Sequence, residues 1–333
     1  MGEDGVEVRR VFVDTANGAK PHRCYDSLED RFFEVRRLKD IKDYGEVCID
    51  SSLFPGMWAD LRILVIDRGV GVFYFAWPWM WREFRQIFRD RLRERFGKIK
   101  TDYGDAWILY KIYAGFEDIS KMVWLPSKQP FQEITWIDVE MKPLLMKEKI
   151  FSQGLRRLRQ YESQGIDMGA GMDLFEKRFE EARREIIAKA KEIWPRFMKV
   201  AAKLGLDEDD LGGLTGLAGT LTYLGWPLRK PSMHKLRRYF GLYRPSKEDK
   251  LKFMERAGKK FHKRYSGSAR RYLNMLTKAI LAKEGRCLPK ARDEKDVLKK
   301  LIEALKGLEP VEGLGGAKAA QPRVLSIFAP MSS

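Results

Sequence analysis

Three short apolar runs near the start of the chain constrain the fold more than any other feature. The runs "VRRVFVD" (8–14), "EVCID" (46–50) and "VGVFYFAWP" (70–78) have the length and the β-branched and aromatic content of buried β-strands. Sequence with helical periodicity follows the second run over 55–69 and the third over 79–97. Strands that alternate with helices predict an α/β domain over residues 6–125.

The rest of the chain reads as helical. Residues 139–206 contain few helix breakers and interleave both signs of charge, which predicts a spacer whose two arms are separated at 162–173. A helical linker bundle and a dimerising coiled coil both fit this pattern. Residues 207–305 are predicted to form a mostly helical basic domain, and the Gly-, Ala- and Pro-rich residues 309–333 a flexible tail.

The positive charge is concentrated in one block. The chain carries a formal net charge of +17, and between Arg229 and Lys290 there are 20 Lys plus Arg against 4 Asp plus Glu, a net of +16. A solvated basic face or an anionic membrane would be alternatives, but the size of the block and its core residues favour nucleic acid as partner. The residues predicted to contact phosphates are Arg237, Arg238, Lys263, Arg264, Arg270 and Arg271. His234 and His262, in the same block, could relay a proton or contact phosphate.

Just before that block, "LGGLTGLAGTLTYLGWP" (211–227) is punctuated by glycines and resembles a helix-hairpin-helix. Such a hairpin presents backbone N–H groups to a phosphate without reading the base sequence. Glycine-rich helix packing would give the same pattern. We also find no run of 18 apolar residues, no signal peptide and no CxxC spacing among the three cysteines. These features predict a cytoplasmic protein with no membrane span and no zinc site.

Four aspartates stand where the predicted strands end and a later helix begins. Asp14 and Asp50 each end an apolar strand, and Asp102 and Asp105 open the helix of "KIKTDYGDAWILYKIYAG" (98–115). Singly, such residues are more often helix caps. As a set they are predicted to converge, because strand ends and nearby helix starts meet at one edge of an open sheet. Converging carboxylates need a compensating cation, and Mg²⁺ prefers such oxygen ligands.

These residues resemble the RuvC-like DEDD domain of the insertion-sequence-110 family of transposases. That family carries its last two acids in a Lys-Thr-Asp-x-x-Asp-Ala segment, which Lys100, Thr101, Asp102, Asp105 and Ala106 match. The resemblance implies an RNase H-like (RuvC-like) domain in which Asp14, Asp50, Asp102 and Asp105 bind Mg²⁺. The family's second acid is usually a glutamate. Asp50 takes that place here, and Glu46 on the same strand is the fallback.

The resemblance extends to about residue 285. In the family's C-terminal domain a helix-hairpin-helix precedes a Gly-Leu-x-Pro turn, a serine that attacks DNA, and a basic helix. Ser246 in "GLYRPS" is at about the position of that serine, whereas Ser266-Gly267 restores the family's Ser-Gly dipeptide closer to Arg270 and Arg271. We favour Ser246 as the implied nucleophile over Ser266.

The resemblance therefore implies a Mg²⁺-dependent DNA transposase or recombinase that cuts and rejoins DNA through a serine. It also implies a structured guide RNA, a prokaryotic, nucleoid-associated location, and a homo-oligomer (dimer or tetramer) joined through the helical spacer. Two alternatives stay open: a RuvC-like structure-selective endonuclease without a serine step, and an inactive relative that only binds nucleic acid. Trp77, Trp79 and Trp81 could stack on unpaired bases, although aromatics at a strand-to-helix junction are more often core.

Overall fold

The computed structural model describes residues 8–17, 20–50, 55–115, 130–225, 233–243, 247, 266–286 and 288–305. Within these ranges, six strands form one mixed sheet in the spatial order β3-β2-β1-β4-β5-β6. The strands are β1 (Arg10–Asp14), β2 (His22–Asp26), β3 (Arg31–Val35), β4 (Glu46–Ile49), β5 (Gly71–Phe75) and β6 (Phe131–Glu133).

The three predicted strands form the parallel centre of this sheet. β1 pairs in parallel with β4, and β4 with β5, so the carboxyl ends of all three strands lie at the same edge. β2, β3 and β6 were not predicted, and they add antiparallel pairs on the two sides. The predicted α/β class is confirmed, although β6 extends the sheet beyond residue 125, the predicted end of the domain.

Helices cover both faces of the sheet. α1 (Trp58–Arg62) continues as a π-helical turn over Ile63–Asp67, and it packs on the face that carries Val11 and Val13. The other face, which carries Phe12, is covered by α2 (Trp81–Ile87), α3 (Arg89–Phe96) and α4 (Asp102–Ala114). Successive side chains of β1 thus enter different cores, as the two-residue period of a strand requires. The single helix predicted over 79–97 is interrupted at Phe88, which divides α2 from α3.

The predicted two-armed spacer is present as a helical hairpin. α5 (Trp136–Ser163) and α6 (Gly169–Ile193) pack side by side, and the connection between them falls inside the predicted break. The following helices are α7 (Phe197–Lys203), α8 (Leu211–Leu224), α9 (Met233–Tyr239), α10 (Gly267–Lys283) and α11 (Ala291–Ala304).

One hydrophobic core joins the base of this hairpin to the C-terminal helices. Met141 and Leu145 of α5 and Trp194 after α6 are buried in the same cluster as Leu217 of α8 and Leu273 of α10. The core therefore crosses the predicted boundary at 206/207. No described helix is both long enough and apolar enough to span a membrane.

The glycines of residues 211–224 do not form the turn of a helix-hairpin-helix, which corrects that interpretation. They lie inside one continuous helix, α8, which packs closely on α10. A Cβ added at Gly216 would stand 2.5 Å from the backbone nitrogen of Leu276. The glycines therefore allow two helix backbones to approach each other, which is the alternative that the sequence pattern left open.

Candidate functional site

Asp14 and Asp50 are neighbours at the carboxyl edge of the parallel strands. Asp14 is the last residue of β1, and Val13 lies opposite Ile49 of β4 in the register. The Asp50 amide donates a hydrogen bond to the Val13 carbonyl at 3.1 Å, which continues the ladder one step beyond β4. The sheet therefore brings these two side chains together through backbone pairing alone.

The start of α4 adds the other two aspartates. Thr101 caps the helix, since its hydroxyl accepts a hydrogen bond from the Gly104 amide at 2.8 Å. The helix packs on β1, with Ile108 and Ile112 in the same core as Phe12. This packing holds the first turn of α4 at the strand edge, where Asp105 is buried and Asp102 is exposed.

The electrostatics of Asp14 reflect the charges of the other three aspartates. Burial raises the pKa of Asp14, and the charges of Asp50, Asp105 and Asp102 raise it further, to about 8, while Arg85 lowers it. Like charges disfavour ionisation only at short range in a partly buried site. The structure thus brings Asp14, Asp50, Asp102 and Asp105 to the same edge of the sheet, within electrostatic range of Asp14.

Two neighbouring side chains hold the buried members of this acidic site, by which we mean these four aspartates. Thr15 donates to Asp50 through its hydroxyl and, at 3.2 Å, through its amide. Arg85 of α2 donates two hydrogen bonds to Asp105. Its Nε donates to Oδ1 at 2.8 Å, and its Nη2 donates to Oδ2. The Arg85 guanidinium also lies 5.5 Å from the centre of the Trp81 ring.

The donor set suits a hard divalent cation, because it consists of carboxylate oxygens under mutual repulsion. The side chains do not, however, form a complete coordination site. Across the described ranges, no three His, Cys, Asp or Glu side chains form a group that could hold a metal ion. The partners explain this arrangement, because Asp105 turns toward Arg85 and Asp50 toward Thr15. Metal binding requires at least one of these side chains to exchange its partner.

Glu46, the fallback for the second acid, lies at the wrong end of the strand. It begins β4, four residues before Asp50, and a strand rises about 13 Å over that distance. Its carboxylate accepts a hydrogen bond from Arg10 at 2.5 Å. The strand's length therefore separates Glu46 from the acidic site, and Asp50 is the residue that the structure brings there.

The arginines predicted to bind nucleic acid divide into two pairs. Arg237 is exposed on α9, and the Arg238 guanidinium lies 5.0 Å from the centre of the Tyr243 ring. Arg270 instead donates to the buried Glu294 at 2.7 Å, and Arg271 donates to the buried Glu148 at 3.0 Å. The fold thus compensates the charges of the second pair internally, and phosphate contacts by either pair stay a prediction.

Several predicted residues lie outside the described ranges: Ser246, His262, Lys263, Arg264, the tail 309–333 and the side chain of Trp79. Ser266 is described, and it caps α10, because its hydroxyl accepts from the Ala269 amide at 3.1 Å. His234 is exposed beside Tyr243. Trp77 is buried in the sheet core next to Phe75, so the core alternative holds for it.

Sequence reasoning missed Thr15 and Arg85, which contact the acidic site, and also His22, which binds the backbone just after Asp14. His22 is buried on β2, and its Nδ1 accepts from the Ala16 amide at 3.0 Å, two residues after Asp14. Burial lowers the pKa of His22, while Asp60 raises it to a lesser extent. For Arg85 the sequence shows only that it follows Trp81 by one helical turn, which does not indicate its contact with Asp105.

Comparison with known proteins adds no assignment. No protein family model matches the chain, and no curated protein matches its sequence.

Proposed function

We propose that this protein is a DEDD-type DNA transposase or recombinase with an RNase H-like catalytic domain. The observation that supports the proposal is the placement of four aspartates at the ends of β1 and β4 and the start of α4, where the other three act electrostatically on Asp14. The resemblance of "KTDYGDA" to the family's acidic segment supports the same conclusion. The mixed sheet, with β1, β4 and β5 parallel at its centre, agrees with an RNase H-like domain.

In this proposal Asp14, Asp50, Asp102 and Asp105 hold Mg²⁺. When bound, the metal stabilises negative charge on the phosphoryl oxygens and activates the attacking oxygen. The buried position of Asp50 and Asp105 limits the water around them, which strengthens their interaction with a cation. Thr15 orients Asp50 by its two hydrogen bonds, so it is a positioning residue for this site.

The C-terminal basic segment supplies the nucleophile and the contacts to the DNA backbone. Ser246 would attack a phosphodiester: its hydroxyl loses a proton, the new Oγ–P bond forms, and the departing deoxyribose oxygen leaves and takes a proton. Arg237 and its basic neighbours hold the phosphates by charge, which gives binding without base specificity. A structured RNA is the guide that the family resemblance implies, and the helical hairpin is the proposed oligomer contact.

The test is a denaturing gel after the full-length protein is incubated with labelled branched and duplex DNA, with Mg²⁺ or with EDTA. We expect a Mg²⁺-dependent, protease-sensitive DNA adduct that is lost in both Ser246→Ala and Asp102→Ala. Ser266→Ala is the matched control, because Ser266 is the other serine of the segment. An adduct that persists in Ser246→Ala and disappears in Ser266→Ala would transfer the nucleophile to Ser266.

A structure-selective endonuclease is the second candidate, because all four aspartates belong to the α/β part of the chain and need no residue of the basic segment. Free cleaved ends that persist in Ser246→Ala but disappear in Asp102→Ala would favour it. DNA binding without cleavage or adduct, with a guide RNA of the element supplied, would contradict both enzymes and leave a nucleic-acid-binding relative.

A further inference from the structure

Arg85 is the one cation that the structure places in direct hydrogen-bond contact with the acidic site among the described residues. Its two bonds engage both oxygens of Asp105, and about three quarters of its side chain is buried. Its charge also acts on Asp14, which it stabilises in the ionised form. Arg85 therefore relieves part of the repulsion among carboxylates that would otherwise require a bound metal.

The helix that carries Arg85 directs its side chain toward the acidic site. It lies on α2, whereas Asp105 lies on α4, and Trp81 one turn earlier on α2 stacks against its guanidinium. Arg82, on the same helix, is exposed. Of these two neighbouring arginines, only Arg85 is directed at the acids, so its contact is a feature of the site and not of a generally basic helix.

A guanidinium that donates to both oxygens of a carboxylate takes one lone pair on each and balances its charge, so it competes with a divalent cation for that carboxylate. The absence of a metal-holding group within the described ranges agrees with this, because Asp105 is turned away by its partner. Thr15 does not have the same effect on Asp50, since a hydroxyl donor carries no charge that competes with a metal.

We propose that Arg85 is an internal counter-cation of the acidic site, which holds Asp105 in the metal-free protein and is displaced when a divalent cation binds. This inference rests on the proposed metal site. Arg85 is a positioning residue in this scheme: it acts on metal affinity through Asp105 and keeps the metal-free protein stable. Displacement from Asp105 would leave the Arg85 guanidinium available to another anion next to the acidic site.

The test measures metal binding and not cleavage. Calorimetric titration of the full-length protein with MgCl₂ should give a dissociation constant about tenfold lower for Arg85→Gln than for the unchanged protein, because a charged hydrogen-bonded competitor is removed. Arg82→Gln is the matched control, since it removes the same charge from the same helix and should leave the affinity within about twofold. Arg85→Lys keeps the charge but cannot donate two hydrogen bonds in the same geometry. Its dissociation constant for Mg²⁺ should lie between those of Arg85→Gln and the unchanged protein.

Thermal denaturation supplies a second readout that protects the test against a misfolded variant. Without its internal cation, Arg85→Gln should melt at a lower temperature than the unchanged protein in EDTA and regain most of the difference in Mg²⁺. Circular dichroism at low temperature establishes that the variant is folded before titration. A variant that is unfolded in EDTA and folds only with Mg²⁺ would also support the proposal.

The outcomes separate this inference from the proposed function. Saturable Mg²⁺ binding that is lost in Asp102→Ala but unchanged or weakened in Arg85→Gln would overturn the role of Arg85 and leave the metal site standing. Tighter binding to Arg85→Gln than to the unchanged protein, lost in the double variant with Asp102→Ala, would support both. Absence of saturable binding in every variant would overturn the metal site and, with it, the inference.

Discussion

At the scale of single residues, the neighbours of a buried carboxylate decide its charge. Asp26 is fully buried, and it accepts hydrogen bonds from Arg9 at 2.7 Å and from the Tyr44 hydroxyl at 2.8 Å. Burial would raise the pKa of Asp26, but these bonds and those from the Leu28 and Glu29 amides together hold it below its ordinary value. Asp14 has carboxylate neighbours instead, and burial together with their charges raises its pKa to about 8. The ionised carboxylate of Asp26 therefore stabilises the folded protein, whereas that of Asp14 destabilises it.

Replacement of Asp26 should destabilise the protein in a pH-dependent way. Because the pKa of Asp26 is lower in the folded state than its ordinary value of 3.8, its stabilising contribution is complete above about pH 4 and is lost as pH falls through the folded-state pKa. We expect Asp26→Asn to lower the free energy of unfolding by about 2 kcal/mol at pH 7. The loss should shrink below pH 4. Urea denaturation at pH 7, 5 and 3 measures both effects.

Asp90→Asn is the control for that series. Asp90 is strongly exposed, and its contact is with the adjacent Arg89, so the substitution should change stability little at any of these pH values. A loss in Asp26→Asn that stays the same from pH 7 to pH 3 would show that packing, and not the charge of Asp26, accounts for the effect.

At the scale of secondary-structure elements, the close contact of α8 and α10 depends on missing side chains. The Cβ of an alanine at Gly216 would meet the backbone of Leu276, which cannot rotate away as a side chain would. We expect Gly216→Ala to lower the free energy of unfolding by about 2–3 kcal/mol, because the two helices must separate or shift. Chemical denaturation followed by circular dichroism measures this loss.

Gly171→Ala is the matched control, since Gly171 also lies inside a helix but has open space around its Cβ position. There the same substitution should stabilise the protein by about 0.5–1 kcal/mol, because alanine has the higher helix propensity. If Gly216→Ala were stabilising as well, the glycines of α8 would have no role in packing.

Sequence analysis predicted the strands whose burial is evident from their continuous apolar sequence. β4 and β5 are apolar because helices cover both of their faces. β2 ("HRCYD") and β3 ("RFFEV") are mixed in polarity, and they exist through a hairpin that completes one side of the sheet. The glycines of α8 fit both a turn and a close helix contact when only the sequence is considered. The position of α10 in the structure decides between these two interpretations.

The same distinction applies to the acidic site. The aspartates were predictable because strand ends and helix starts obey general rules of sheet topology. Arg85 was not, since its partner Asp105 is 20 positions away and the contact depends on how α2 crosses α4. Glu46 was misjudged for a simpler reason: the two-residue period gives the face of a strand, but not which end meets the site.

At the scale of the whole molecule, a buried carboxylate ties the helical hairpin to the C-terminal helices. Glu148 of α5 is fully buried and accepts hydrogen bonds from Arg271 at 3.0 Å and from the Tyr272 hydroxyl at 3.2 Å, both on α10. Arg183 of α6 lies 4.0 Å from the same carboxylate. The two arms of the hairpin and the helix α10, which is distant in sequence, thus meet at one charge, inside the region whose hydrophobic core is continuous.

Loss of that carboxylate should therefore be costly. We expect Glu148→Ala to lower the free energy of unfolding by about 3 kcal/mol or more, because it leaves Arg271 partly buried without its anion. Lys147→Ala is the adjacent control: its ion pair with Glu185 is exposed, and the loss should be about 0.5 kcal/mol. Similar losses in both variants, measured by urea denaturation, would contradict a structural role for the buried network.

The internal pairing of Arg270 and Arg271 changes what the basic block can contribute to nucleic-acid binding as a whole. An arginine whose charge is balanced within the fold releases no counterion from DNA, whereas an exposed one such as Arg237 can.

We expect Arg237→Ala to weaken DNA binding uniformly across sequences, and to reduce the slope of log K against log salt concentration by about 1. Fluorescence anisotropy with labelled duplex DNA in EDTA, from 50 to 300 mM salt, measures the slope without cleavage. Arg184→Ala, which removes an exposed charge beside Glu180 on the helical hairpin, should leave the slope unchanged. Equal slopes for Arg237→Ala and the unchanged protein would place the DNA contacts elsewhere in the chain.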